Sequence, residues 1–229
     1  QKVLKLNMRK FKWRLQTVKD IYRVGLPGIV MQSITSVMTA GMNGILIGFS
    51  QTAVNVLAVY FKLQTFVFMP VFGLNQGALP VMGYNYGARN KKRLFGAYRI
   101  ALGTAVAIML LGFVLFQLFP EPMLMMFVDR TDAAAMQEML DTGVPALKTI
   151  SLSFVGAAFG IINSTVFQAT ARGLNSLIVS VCRQLVIILP AAWLPGRFVG
   201  LNAIWYSFPI AEIASFLISY LLLWREYQT

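Results

Sequence analysis

The chain has 229 residues, of which 57% are hydrophobic and only 12% charged, with a mean hydropathy of +0.66. Soluble domains carry about 25% charged residues, so this composition excludes a water-soluble enzyme and makes lipid the solvent of most of the surface. There is no histidine and a single cysteine, Cys182, which excludes a histidine base, an intrachain disulfide and a cysteine-based metal site.

Residues 1–23 read as a basic amphipathic linker. Met8, Phe11, Leu15, Val18 and Tyr22 recur at three- and four-residue spacing, with Arg9, Lys10, Lys12, Arg14 and Lys19 between them. That pattern suits an anionic membrane surface, and it equally suits an ordinary cytoplasmic linker helix. Residues 24–225 hold six stretches of the length a membrane helix needs, about 20 mostly apolar residues. They are expected at 27–49, 54–82, 95–119, 144–170, 177–194 and 199–224, with the first break at Ser50-Gln51-Thr52. Residues 226–229 are left as a short tail. The fold class expected is therefore all-α and polytopic.

Lysine and arginine in the connections fix the orientation. Eight precede the first span, and Arg89, Lys91, Lys92, Arg93 and Arg99 follow the second. Arg172 and Arg225 lie on the same side, against Arg130 and Arg197 on the other, which gives fifteen against two. Both termini are expected in the cytoplasm. The net charge of +12 is thus mostly a topology signal. Basic residues that flank spans without forming a compact face argue against a nucleic-acid partner.

Polar residues fall in stripes. Gln32, Ser36, Thr39 and Asn43 share one face of the first span; Lys62, Thr65, Met69 and Gln76 share one in the second; Thr149, Ser153, Gly156, Gly160 and Asn163 do so in the fourth. Unsatisfied polar groups are expensive in hydrocarbon, so each stripe must face protein or water. The two readings are interhelical hydrogen bonding and a wetted cavity, which Met31, Met38, Met42 and Met69 would line adaptably. Three pairs with G-x-x-x-G spacing, Gly44/Gly48, Gly73/Gly77 and Gly156/Gly160, are expected to pack helices closely. Pro70, Pro80, Pro190 and Pro209 interrupt spans, as static kinks or as exposed carbonyls.

Lys62, Arg183 and Glu212 put charge inside spans. Each costs about 2.5–3.5 kcal/mol at mid-bilayer even on the lower scales, which marks it as functional or paired. Glu212 lies midway along the last span, with Trp205, Phe208, Ser215 and Ser219 on its face, and Arg183, about seven residues from the cytoplasmic end of the fifth span, is near enough to snorkel or to meet it. No G-x-x-x-x-G-K-[ST] occurs, which argues against ATP hydrolysis.

The segment FKLQTFVFMPVFGLNQGALPVMGYNYGARNKKR, residues 61–93, resembles the multidrug and toxic-compound extrusion (MATE) family of secondary antiporters. The specific residues are Pro70 and Gly73, then Gln76, Gly77 and Pro80, then Gly83, Tyr84, Asn85, Tyr86 and Gly87. Supporting matches are Gly25-Leu26-Pro27, Arg183-Gln184 with Pro190, and Phe208-Pro209 with Ala211-Glu212. The resemblance implies one lobe, the carboxyl-terminal one, of a twelve-helix transporter, with an amino-terminal lobe as its partner. It implies efflux of amphipathic organic, often cationic, small molecules, driven by H+ or Na+, with no other cofactor, in the bacterial cytoplasmic membrane. Some branches of the family bind a cation through carboxylates on the first and fourth helices of this lobe. The matching stretches here carry Gln32, Asn43 and Asn163, which leaves Glu212 as the mid-membrane acid. Lys62 would line the cavity or pair with an acid of the other lobe. The same pattern would also suit a lobe of a related lipid-linked sugar flippase or a non-transporting membrane subunit.

Overall fold

The computed structural model describes residues 14–128, 132–170 and 173–227, and all regular structure among them is helical. In chain order the helices are α1 (Leu15–Leu46), α2 (Gln51–Gly87), α3 (Lys91–Leu118), α4 (Pro120–Met125), α5 (Ala133–Ser151), α6 (Phe154–Ala169) and α7 (Gly173–Val181). A π-helical segment, Cys182–Ile187, joins α7 directly to α8 (Ile188–Val199). Then follow α9 (Leu201–Ile204) and α10 (Ser207–Tyr227).

Among the described residues four helices are long and apolar enough to cross a membrane: α2, α3, the continuous rod Leu174–Val199, and Leu201–Leu221. The fourth expected span is the pair α5 and α6, bent by 47°. Six straight spans is therefore an approximation. The bend has a local cause: the Ser153 hydroxyl donates to the Ile150 carbonyl at 2.6 Å, in competition with the helix ladder. The first expected span falls within α1, which has 32 residues, about 48 Å of helix, and is not one of the four.

Three boundaries differ from the sequence reading. The linker and first span are one helix from Leu15 onward, with no break at residue 23; Met8 and Phe11 lie outside the described residues. Helix α5 starts at Ala133, eleven residues before the expected 144, because Asp132 caps it by accepting from the Ala134 and Ala135 N–H groups at 3.0 and 3.1 Å. A short helix, α4, occupies part of what was expected as a loop. The break at Ser50 is where expected, and its hydroxyl accepts from the Ala53 N–H at 3.1 Å.

Lipid offers no hydrophobic drive between helices, so close packing must hold the lobe together. Rings from four helices interlock at its centre. Tyr60 meets Phe208 and Phe116 edge-on at 5.8 and 6.4 Å, and Phe154 meets Phe116 and Phe68 at 5.0 and 5.4 Å. Gly112 of α3 admits Val67 of α2, Gly41 of α1 admits Leu189 of α8, and Gly196 of α8 admits Ile204 of α9. The family motif closes α2: the Asn90 N–H bonds to the Asn85 carbonyl and Arg89, at φ 54°, to Tyr86, a Schellman ending. Gly83 of that motif abuts the Ala169 carbonyl, so the basic α2–α3 turn and the end of α6 share one end of the lobe.

Candidate functional site

Glu212 stands one and a half turns into α10, and only 12% of its side chain is exposed. A carboxylate there needs room and a counter-charge. The room comes from α6. A Cβ on Gly156 would lie 2.9 Å from Glu212 Cβ, and one on Gly160 would lie 3.5 Å from Glu212 Oε2. The glycine pair is a notch cut for this side chain.

The counter-charge is Arg183, whose Nη1 donates to Glu212 Oε1 at 2.8 Å. Arg183 lies within the π-helical segment, and the Ile188 N–H reaches back five residues to its carbonyl. Proline explains this widening: Pro190 has no N–H for the Val186 carbonyl and its ring presses on that turn. Tyr60, 1% exposed, comes in from α2 and packs edge-on against Phe208, one turn before Glu212 on α10. Glu212 Oε2 is buried and makes no hydrogen bond among the described residues, as is true of the hydroxyls of Ser207, Ser215 and Ser219 and of Trp205 Nε1. A buried pair survives desolvation only when its geometry is good, and an oxygen left unpaired within it carries a desolvation cost.

The polar stripes divide. That of α6 is internal: Asn163, 4% exposed, accepts from the Tyr98 hydroxyl of α3 at 2.9 Å. Those of α1 and α2 turn outward. Gln32 and Ser36 are exposed, Thr39 and Asn43 half-buried, and no side-chain hydrogen bond joins Gln32, Ser36 or Asn43 to another described residue. Thr39 bonds only to the Thr35 carbonyl of its own helix. On α2 the residues Lys62, Thr65, Met69, Pro70, Gly73, Gln76, Gly77 and Pro80 are all exposed. Nothing lies within 4 Å of a Cβ placed on Gly44, Gly73 or Gly77, and only the Ile45 carbonyl of the preceding turn of α1 near one on Gly48. The expectation that these two pairs pack helices is overturned within the lobe; of the three pairs only Gly156/Gly160 does so, because only it faces a large side chain.

Lys62 lies about 16 Å along α2, with its Nζ 5.5 Å from the Phe127 ring. A lysine at that depth facing lipid would cost several kcal/mol, so this face suits water or another protein surface. Helix α3 differs: beyond its basic first turns, the large side chains it exposes are apolar, namely Ile100, Leu110, Leu111, Val114, Leu115 and Leu118. Two site features escaped the sequence reading. Lys148 is a further charge inside the fourth expected span, exposed on α5 and visible to a simple charge count. Tyr60 carried no signal, because nothing in its own helix reveals that it packs on α10 one turn from Glu212.

A family model, MatE, matches residues 27–194. The multidrug export protein MepA of Staphylococcus saprophyticus is 27% identical over 207 residues, which are 89% of this chain and 44% of that protein. A MATE solved in complex with MaL6 superposes with a TM-score of 0.84 at 27% identity, covering 99% of this chain and 51% of that one. An outward-facing multidrug resistance MATE family transporter of the MOP superfamily gives 0.83 at 25% identity, over 95% and 48%. The chain spans about half the length of the relatives it matches.

Proposed function

As a chain that belongs to the MatE family, we propose, it serves as the carboxyl-terminal half of a secondary antiporter that expels amphipathic organic cations in exchange for H+ or Na+. One observation carries this reading: α1 and α2, which touch each other, both turn polar faces out of the lobe, on a chain that spans half of its multidrug-exporting relatives. Such a face is one wall of an aqueous cavity, and a second lobe supplies the other. Gln32, Ser36, Thr39, Asn43, Lys62 and Gln76 line it, and Met69 gives an adaptable apolar contact. Lys62 keeps its charge hydrated there or meets an acid of the opposite lobe.

Coupling runs through the Arg183–Glu212 pair. An ion that neutralises Glu212 frees Arg183 from its only short ion pair among the described residues. The π-helical segment and α10, which the pair clamps together, then change their preferred arrangement. Binding that biases a two-state element in this way drives the rocking of two lobes between outward- and inward-open forms. The excess of basic residues on one side supports cytoplasmic termini in a bacterial cytoplasmic membrane. No step calls for covalent chemistry.

Proteoliposomes loaded with ethidium test the proposal. Residues 1–229 alone give no gradient-driven efflux, and the same residues joined to an amino-terminal lobe do. In that two-lobe protein Glu212→Gln lowers ion-driven efflux at least tenfold while ethidium still binds. Efflux by residues 1–229 alone overturns the half-transporter reading in favour of a homodimer. Undiminished efflux by Glu212→Gln overturns the coupling role.

A further inference from the structure

Helix α10 buries a ladder of polar atoms on the face that holds Glu212. Ser215 and Ser219 follow Glu212 at three and seven residues, one and two turns toward the basic end of the lobe. Both are 1% exposed, and their hydroxyls, like Glu212 Oε2, have no hydrogen-bond partner among the described residues. A buried unpaired hydroxyl costs about 1–3 kcal/mol. Three such atoms in register on one helix face call for a common cause.

The neighbouring helices are polar at the same depth. From the level of Glu212, Ser219 is about 10.5 Å along α10 at 1.5 Å per residue. The same rise measured back from Arg183 reaches Ser176 of α7, and from the Gly156/Gly160 notch about 9 Å reaches Ser164 of α6. The Ser164 and Ser176 hydroxyls are hydrogen-bonded to each other, and Gln168 Nε2 donates to Ser164 Oγ at 3.2 Å. Helices α6, α7 and α10 pack against one another, so by helix rise these hydroxyls stand at matching depths, a seam leading from the ion pair toward the basic end inside the lobe.

We propose that this seam is a proton path: water enters it transiently from the cytoplasmic side and relays protons along Ser219 and Ser215 to Glu212 Oε2. This rests on the reading of Glu212 as the coupling group and names its route. The seam offers about one hydroxyl per turn, and Arg183 stands 2.8 Å from the carboxylate. A sodium ion, which needs several oxygens at once, is poorly served. A proton needs one oxygen at a time. In the transfer a hydronium in the seam gives up its proton, a new O–H bond forms on Oε2, and neutral water is left behind. Arg183 keeps its protons and loses its counter-charge. The charged group on this carboxylate is Arg183 from the π-helical segment, Tyr60 of α2 packs on Phe208 one turn before it on α10, and α6 presents glycines.

The test is thiol reactivity toward Ag+, a probe small enough for a narrow path, in nanodiscs and in a Cys182→Ser background. Ser215→Cys and Ser219→Cys are compared with Ala105→Cys in the apolar core and Ala88→Cys at the exposed α2–α3 turn. Both seam positions should react at least tenfold faster than Ala105→Cys, with Ser219→Cys ahead of Ser215→Cys. Reactivity as low as that of Ala105→Cys, or access at 215 without access at 219, overturns the route. A second readout needs no cysteine. The carboxyl infrared band that vanishes in Glu212→Gln should appear at least tenfold more slowly after a pH drop in Ser215→Val or Ser219→Val, and at the unaltered rate in Thr104→Val on the exposed side of α3. Equal rates in all three overturn it. Neither measurement depends on efflux, so a wet seam in a lobe that does not couple, and a dry seam in one that does, are told apart.

Discussion

Consider alanine at Gly156. The added methyl would lie 2.9 Å from Glu212 Cβ, where carbon atoms prefer about 3.5–4.0 Å. That neighbour is the first atom of its side chain, fixed to the α10 backbone, so it cannot swing aside. The two helices must separate by roughly 0.5–1 Å. Overpacking of this kind costs about 1–3 kcal/mol. Against it stands a gain of about 1 kcal/mol, since alanine is the better helix former. The net is a loss of up to about 2 kcal/mol. Gly77 sits in the same kind of spacing with nothing within 4 Å, so Gly77→Ala keeps the gain alone and stabilises by about 1 kcal/mol. Gly160→Ala meets only the far end of the carboxylate, at 3.5 Å, and should fall between them. Denaturant unfolding of the purified chain in detergent, followed by circular dichroism, measures all three. Equal stabilisation by Gly156→Ala and Gly77→Ala would refute the notch.

Three other perturbations follow from the same geometry. Tyr98→Phe leaves the Asn163 carbonyl buried without its donor and should cost about 1–3 kcal/mol in the same unfolding assay; no loss would mean that water replaces the phenol. Arg183→Ala and Glu212→Ala should each cost about 1–3 kcal/mol, less than a fully buried pair because Arg183 keeps 26% of its side-chain exposure. The double variant should recover at least half of the summed loss, and strict additivity in this cycle would show that the two charges do not interact. Gly200, at φ 110° and ψ −174° between α8 and α9, occupies backbone space that other residues enter at a cost of about 1–3 kcal/mol; Gly200→Ala should lose that much, and a neutral result would place the residue elsewhere.

The membrane class and the ion pair were legible because hydrocarbon leaves few choices. Uncharged length marks a span, and two opposite charges in neighbouring spans must find each other or water. The bend at Ser153 and the early start of α5 were not legible. Glu138 and Asp141 dilute the hydrophobic signal over α5, while Asp132, which starts it, is read only as a cap. The glycine pairs show the limit most plainly. Gly73/Gly77 and Gly156/Gly160 have the same spacing, and periodicity tells which residues share a face but not what faces them. Asn163 and Ser36 likewise belong to similar stripes, yet one is tied to Tyr98 and the other is exposed.

If the outward faces of α1 and α2 line water, position decides chemistry. In a cysteine-free background of the two-lobe protein in proteoliposomes, cysteines at Gln32, Ser36, Thr65 and Gln76 should react rapidly with a membrane-impermeant thiol reagent. Cysteines at Ile100 and Leu111, equally open on the surface of the lobe, should stay unlabelled because lipid covers them. Labelling of Ile100 and Leu111 with Gln32, Ser36, Thr65 and Gln76 dry would contradict the cavity wall.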